Sequence, residues 1–381
     1  MTTLLTPFKI GSLELKNRVC MAPMTRNKSP NNVPGDDVVE YYRKRAEGDA
    51  ALIITEGTCP GHLAASGYPD VPFFDGEDAL AGWQKVIDAV HNEGGKIAPQ
   101  LWHVGAFRRP GIEPGGDLPG YSPSGMLVPG KVVGHVMTQA DIDETIAAYA
   151  RAAKNAERLG ADAVEIHGAH GYLIDEFFWA GTNQREDHYG GSMENRGRFA
   201  VEVIQAVRDS VSDDFPIILR WSQWKQQDFS ARLATTPQEL EAFLLPLSDA
   251  GVDIFHASQR RFWETEFDDS NLNLAGWCKK ITGKPSMTVG SVSLDADFIP
   301  EKGSADFKEA GIASLDELYE RLGNDEFDLV AVGRAMIANP NWAKKVAENR
   351  VEELVAYGNA ANNADAPSGM AMKRRLRPCA S

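Results

Sequence analysis

The segment Glu165-Ile-His167-Gly-Ala-His170-Gly-Tyr172 gathers two imidazoles and a phenol in one short stretch. Imidazole N–H groups that converge on one oxygen stabilise negative charge developing there, and a phenol beside them holds a transferable proton. The residue types point to an oxyanion-binding pair next to a general acid. A zinc site needs a third ligand, and no other compact set of His, Asp or Glu accompanies the pair. Core histidines satisfied by their neighbours are the plainer alternative for an isolated His-x-x-His, and Tyr172 weighs against it.

Further segments carry polar side chains out of apolar runs. Gln100-Leu-Trp102-His103 offers an amide that donates and accepts at once, which suits the edge of a heteroaromatic ring. Trp102 serves equally well as plain core packing. Arg220-Trp-Ser brings a permanent cation to the end of an apolar run, where it stabilises negative charge on a bound ring. Val289-Gly290-Ser291 and Val332-Gly333-Arg334 combine glycines, whose N–H groups approach an anion closely, with a guanidinium that binds phosphate bidentately. Together they describe an aromatic cofactor with a phosphate tail, a cation near its electron-accepting end and an oxyanion hole over its face.

The elements that must position these groups are legible as an alternation. Strands are predicted over 18–25, 51–58, 96–104, 163–169, 216–222, 252–258, 286–291 and 329–334, several of them near-continuous apolar runs of the kind a sheet covered on both faces requires. Helical patterns fall between and after them, over 38–48, 78–94, 141–160, 195–212, 237–250, 274–283, 314–322 and 341–350. Within 141–160, Ile142, Ile146, Tyr149 and Ala153 recur at helical spacing, with Asp141 and Glu144 as the expected cap. Eight β/α pairs in strict order predict the α/β class and a single (β/α)8 TIM barrel. The alternative, a doubly wound open sheet, normally opens on a Gly-rich phosphate turn, and the first strand here ends in Ala22-Pro23-Met24-Thr25.

Phe8-Lys-Ile and Leu13-Glu-Leu around Gly11-Ser12 read as an N-terminal β-hairpin plugging the barrel bottom. Three βα loops are long, 107–139, 171–194 and 292–313. Barrel active sites sit in such loops, and those after the last two strands commonly hold phosphate.

The chain has 381 residues, 54 acidic and 39 basic, for a formal charge of −15. That balance argues against nucleic-acid binding, which needs a basic face. Cys20, Cys59, Cys278 and Cys379 are scattered, a poor framework for disulfides, zinc or iron–sulfur. There is no signal-peptide pattern and no run of about 18 apolar residues. A cytoplasmic protein without membrane partners is expected.

Across residues 4 to 350 the sequence resembles the old yellow enzymes, FMN-dependent ene-reductases built on a barrel. The motifs that carry the resemblance are Asn17-Arg18 leading to Ala22-Pro23-Met24-Thr25-Arg26, then Gln100-Leu-Trp-His and His167-Gly-Ala-His-Gly-Tyr172. Asn183-Gln-Arg-Glu-Asp-His-Tyr-Gly-Gly-Ser-Met-Glu-Asn-Arg196 follows, then Gly333-Arg334 with Ile337-Ala-Asn-Pro340. The resemblance implies an FMN-binding barrel over 1–358 and leaves 359–381 as a polar tail. It implies that Ala22, Pro23 and Met24 line the flavin, that Thr25 bonds its C4 carbonyl, and that Gly57 and Gln100 meet its pyrimidine part. Arg220 would face the N1/C2 region, and Gly290, Ser291, Gly333 and Arg334 would hold the phosphate. His167 and His170 would bind the substrate's activating oxygen, Tyr172 would supply a proton, and Tyr68 and Trp102 would shape the pocket.

The implied reaction passes a hydride from NADPH or NADH to the flavin and on to the β-carbon of an electron-poor alkene, with Tyr172 protonating the α-carbon. Enones, enals, maleimides, nitroalkenes and nitrate esters all present an oxygen that two histidines can hold. No ribose-reading motif selects between the two reductants, and nothing in the sequence sets an oligomeric state. The departures from the family pattern bear on substrate range. His103-Val-Gly-Ala106 lacks the arginine that many relatives carry after the glycine, Trp221-Ser-Gln-Trp224 is bulky, and the loop 292–313, with Asp295, Asp297 and Glu301, is long enough to overhang the pocket. The rival readings are a flavoenzyme of this scaffold with another oxidant (a nitrate ester, quinone-like or dienoyl substrate), a non-catalytic FMN-binding barrel, and a metal-dependent barrel lyase.

Overall fold

A computed structural model describes residues 3–296 and 310–358. Eight parallel strands close a barrel: β1 (Val19–Met21), β2 (Leu52–Thr58), β3 (Lys96–Leu101), β4 (Val164–His170), β5 (Ile217–Lys225), β6 (Ile254–Ser258), β7 (Ser286–Val289) and β8 (Leu329–Val332). Each pairs with the next in chain order, and β8 returns to β1 through Val330–Val19, Ala331–Cys20 and Val332–Met21. A helix follows each strand: α1 (Asp36–Glu47), α2 (Glu77–Asn92), α3 (Gln139–Arg158), α4 (Met193–Ser210), α5 (Pro237–Asp249), α6 (Leu274–Thr282), α7 (Asp316–Gly323) and α8 (Trp342–Ala347).

Side chains alternate across a strand, so each strand serves two cores. Outward residues such as Ile53, Ile97, Val164, Ile166, Ile217 and Leu219 pack with Trp83, Tyr149 and Phe243 of the helices. Inward residues Ala98, Ala163, Ile218, Ile254, Met287 and Leu329 form a separate apolar plug with Phe8, Leu13 and Leu15 of the predicted hairpin (Phe8–Ile10, Leu13–Leu15). Ser12 in the hairpin turn ties it to the barrel base, its N–H and hydroxyl both donating to the Asp214 carbonyl at 2.8 and 3.0 Å. Two residues further along the strands the inner face turns polar, through Gln100, Glu165, Arg220 and His256, all buried. The barrel is a cup with an apolar floor and a polar rim.

Helix α3 begins earlier than its spacing suggests. Asp141 is not the cap with Glu144: Thr138, in extended conformation, caps the helix, accepting from Asp141 N at 3.3 Å, while the Asp141 carboxylate accepts from Thr138 N at 2.7 Å. The capping box is shifted by three residues because the threonine already supplies the hydroxyl acceptor. Two short helices, Leu173–Phe178 and Arg334–Ala338, follow β4 and β8 inside stretches read as loop or strand end.

The long loops are built structures. The loop after β3 carries the small strand pairs Tyr121–Ser122 with His135–Val136 and Met126–Val128 with Lys131–Val132. Asn183 Nδ2 donates to the carbonyls of Phe177 and Tyr189, both at 2.8 Å. Arg185 Nη1 reaches the carbonyls of Met137 at 2.6 Å and Pro123 at 3.1 Å, which binds the loop after β4 to the loop after β3. Much of the 183–196 motif is thus scaffolding. In the loop after β7, Asp295 Oδ1 accepts from Gly311 N at 2.7 Å. Asp297, Glu301 and the tail 359–381 lie outside the described residues. Among the described residues no helix is long and apolar enough to cross a membrane.

Glu56 of β2 is fully buried beside the exit of β1, accepting from Arg26 N at 2.8 Å. Burial pushes its carboxyl up to about 7, against the Arg26 guanidinium and N–H, which favour the ion. Between the unfolded value and about 7 the folded state holds a proton the unfolded chain lacks, so this group's contribution to stability falls as pH rises through that window. Relative to the parent, Glu56→Gln is expected to gain roughly 2–6 °C in melting temperature between pH 5.5 and pH 8.5. Parallel melting curves for the two proteins across that range provide the check.

Candidate active site

Strand β4 ends in a sharp turn that presents its three reactive side chains. The β4–β5 register runs from Val164–Ile217 to Gly168–Trp221 and then shifts, placing His170 opposite Lys225. His170 (φ 66°) and Gly171 (φ 79°) both adopt left-handed backbone. Position 171 favours glycine through its left-handed φ, and any Cβ there would also have to displace the Gln227 amide, 2.0 Å away. The turn is clamped from below. Gly171 N donates to Asp175 Oδ2 at 2.7 Å, and Asp175 Oδ1 takes Lys225 Nζ at 2.6 Å, with both charged side chains wholly buried. Burial pushes Asp175 up to about 6, and the Lys225 ammonium holds it from going higher.

The rings stand close together at this end of the barrel. His167 lies 5.2 Å from both His170 and Tyr172, edge to face in each case. His167 Nδ1 accepts from Ala169 N at 3.3 Å, so its proton sits on Nε2. His170 Nε2 meets Ser258 Oγ at 2.7 Å, and the ring stacks on Trp224 at 4.5 Å. Burial and the Arg220 cation push both histidines well below the usual imidazole value, so they stay neutral.

Trp102 is the centre of the neighbouring wall. It stacks on Tyr68 at 5.5 Å and meets Tyr172 edge-on at 4.9 Å. Gly57 of β2 lets the indole lie against the strand, since a Cβ there would come within 2.3 Å of its ring. The Tyr68 hydroxyl is 3.1 Å from that of Tyr172. The loop that carries Tyr68 is stitched to the exit of β3 by Val104 N to Ala65 O at 2.9 Å and Arg108 Nη1 to Ser66 O at 2.5 Å. His103 accepts from Gly105 N at Nδ1, so its Nε2–H donates to His62 Nδ1 at 3.0 Å, adding a third stitch.

Beneath the rings runs a buried polar chain. Gln100 Nε2 donates to Glu165 Oε1 at 2.7 Å, and Glu165 Oε2 meets His256 Nδ1 at 2.5 Å. A carboxylate only accepts, so it fixes the Gln100 amide with nitrogen toward Glu165. Arg220, one strand over from Glu165, is buried and reaches Ser258 Oγ at 3.4 Å.

The loops after β7 and β8 meet at the rim. Ser291 Oγ accepts from Arg334 Nη2 at 3.1 Å and lies 3.1 Å from the Arg260 carbonyl, to which it donates. Gly290 packs against the Gln259–Arg261 backbone, and Gly333 faces Met24 Sδ and Ala22 Cβ. Ala22 N is held by Val332 O at 3.0 Å, while Pro23, Met24 and Thr25 leave β1 half-buried. The structure therefore brings the residues singled out in the sequence into two neighbouring sets. One is the ring cluster Tyr68, Trp102, His167, His170 and Tyr172, with Gly57, Gln100 and Arg220 bordering it, and the other is Ala22–Thr25 with Gly290, Ser291, Gly333 and Arg334.

Glu165, His256, Ser258, Asp175 and Lys225 were not singled out. A signal for three of them exists in polar residues spaced by two within apolar strands, Glu165-Ile-His167 and His256-Ala-Ser258, which share the inner face. The Asp175–Lys225 pair has none, because its partners lie 50 positions apart.

Two observations test whether these residues suit FMN. Arg220 Nε is buried without a partner, a permanent donor awaiting an acceptor at the rim. A Cβ built at Gly333 meets nothing nearer than 3.6 Å, which leaves that face open across Ala22 and Met24. Both fit a flat, electron-accepting ring whose polar edge offers acceptors to a buried cation. Fold and site together define a flavin-dependent barrel oxidoreductase.

Comparison with known proteins gives the family. The profile of the NADH:flavin oxidoreductase / NADH oxidase family matches residues 3–353. The chain is 35% identical to flavin oxidoreductase hxnT of Emericella nidulans, covering 93% of this chain and 92% of that one. It is 43% identical to 12-oxophytodienoate reductase 1 of Oryza sativa subsp. japonica over 90% and 85% of the two chains. Among solved structures, the old yellow enzyme homologue from Zymomonas mobilis superposes with a TM-score of 0.78 at 26% identity, over 97% and 98% of the chains. Morphinone reductase in complex with tetrahydroNAD gives 0.75 at 28%, over 91% of each. The chain belongs to the NADH:flavin oxidoreductase family, the old yellow enzymes, and is an FMN-dependent NAD(P)H oxidoreductase.

Two outcomes are expected from the site's electrostatics. In a histidine NMR titration, His167 and His170 take up no proton between pH 8 and pH 6, whereas an exposed histidine titrates midway through that range. Glu165→Ala, which strands His256 and the Gln100 amide in a dry interior, lowers unfolding free energy by about 3–5 kcal/mol in chemical denaturation.

Proposed function

We propose that the chain reduces the activated C=C bond of α,β-unsaturated carbonyl or nitro compounds. The observation that carries this is the grouping of neutral His167 and His170 with the Tyr172 hydroxyl on one turn at the barrel rim. The names of relatives that are reductases of 12-oxophytodienoate and of morphinone point the same way.

Ala22–Thr25, Gly57, Gln100 and Arg220, with Gly290, Ser291, Gly333 and Arg334 at the phosphate, would hold FMN, which would supply the hydride chemistry between NADPH or NADH and the substrate's β-carbon. The chain's residues do the rest. His167 donates its Nε2–H to the substrate oxygen, and His170 joins it by exchanging Ser258 for that oxygen. Neutral donors suit the task, because an imidazolium would protonate the developing enolate oxygen rather than share its charge. Each such donor is worth on the order of 3 kcal/mol at the transition state. Tyr172 supplies the α-carbon proton, and Trp102 with Tyr68 walls the pocket and excludes water. The Arg220 cation stabilises negative charge gathering on the ring it faces.

The visible spectrum of the purified protein, kept anaerobic, tests the reading directly. A yellow flavin spectrum is expected to bleach with NADPH or NADH and to return with cyclohexenone. Bleaching without return would retain the flavin and assign the chain another oxidant. Tyr172→Phe is expected to slow the return by about a hundredfold or more while changing the bleaching far less. An equal loss in both halves would remove Tyr172 from the proton-donor role.

A further inference from the structure

Tyr172 has a difficulty that its position creates. It is 7% exposed, enclosed by the rings of Trp102, Phe107 and His167 at 4.9, 4.8 and 5.2 Å. Giving up its proton leaves a phenolate in an apolar enclosure, where an unpaired charge is costly. An enclosed acid works well only if something compensates its oxygen as the proton departs.

The Tyr68 hydroxyl lies 3.1 Å from the Tyr172 oxygen. Resting on the function proposed above, we infer that Tyr68 and Tyr172 form a two-hydroxyl relay, in which Tyr68 passes its proton to Tyr172 as Tyr172 protonates the substrate's α-carbon. The electron pair of the new C–H bond is the one released at the α-carbon when hydride adds to the β-carbon. The Tyr172 O–H bond breaks and is remade at the expense of the Tyr68 O–H bond, and water restores Tyr68. The net transfer is one proton from water to carbon, with no redox change beyond the hydride itself.

The surroundings give the relay its direction. Burial pushes both phenols up, but the contact with Tyr68 pulls Tyr172 down and the same contact pushes Tyr68 further up, as when Tyr68 donates and Tyr172 accepts. Gln226 also contacts the Tyr172 hydroxyl. Its amide steadies the oxygen and has no proton to give. Tyr68 as a whole residue is less buried than Tyr172, and its neighbours Pro69 and Asp70 are exposed, which places Tyr68 on the side of the pair nearer solvent. Arg109 favours negative charge on Tyr68 while it waits for water. Stacking on Trp102 at 21° holds the phenol in place.

A proton inventory reads this directly. The FMN-loaded enzyme is reduced with NADPH, mixed rapidly with cyclohexenone in H2O/D2O mixtures, and followed by flavin absorbance. Two protons in flight bow the plot of rate against deuterium fraction. Tyr68→Phe is expected to straighten the plot and to lower the rate about ten- to a hundredfold, as loss of a hydrogen bond to a developing charge does. A pocket wall with no part in proton transfer would leave the curvature untouched. A straight line in the unmodified enzyme, sloping or flat, overturns the relay without any variant, and so does Tyr68→Phe that keeps the bow. Tyr172→Phe separates the two ideas. If it reoxidises as fast as the parent, Tyr172 is not the donor and the proposed mechanism falls too; if it is slow while the parent's plot is straight, only the relay falls.

Discussion

Glu165 is a carboxylate in the middle of a closed barrel, and the rim is organised around the need to satisfy it. Water has no route to it through the plug of Phe8, Leu13, Leu15 and the inward strand residues below. Its oxygens must therefore find partners on other strands, and they do, Gln100 on adjacent β3 and His256 on β6, one strand beyond β5. Arg220, whose neighbour in the β4–β5 ladder is His167, places a compensating positive charge on the same inner surface. A charge that is affordable only when matched imposes geometry on whatever matches it. Gln100 loses its freedom to flip, and His256 is held to one tautomer. Any ring that binds at this rim would inherit that order at no further conformational cost.

The ring cluster above is fixed by a different device. His170 accepts a left-handed backbone that side chains rarely adopt, and Asp175 of the short helix beyond, in a buried ion pair with Lys225 of β5, secures the amide that follows. Trp224, part of the bulky stretch noted in the sequence, stacks on His170 and donates its indole N–H to the Ser258 carbonyl at 3.0 Å. The bulk at the end of β5 supports a reactive side chain.

The barrel was readable because it is periodic. Eight apolar runs separated by helical patterns admit few arrangements, and the structure places strands and helices within a few residues of the predicted spans. The reactive trio was readable because its members are local in sequence. What escaped was non-local or arose from competition between neighbours. Asp175 and Lys225 meet only after β4 and β5 pair out of register, and Glu165 acquires meaning from a histidine 91 positions away. Thr138 won the helix cap from Asp141 because two residues able to cap stood three apart, and only backbone geometry chooses between them. The 183–196 motif, prominent in the sequence, serves largely to tie two loops together.

The hairpin floor has a kinetic meaning. With the base closed by the hairpin plug, an electron donor and an electron acceptor that both need the proposed ring would reach it from the rim and take turns at it. Neither can wait inside while the other reacts. Under the proposed function, turnover would then alternate between two forms of one enzyme, and each reactant in excess would obstruct the form meant for the other. The residues at the rim thus govern a queue as well as a reaction.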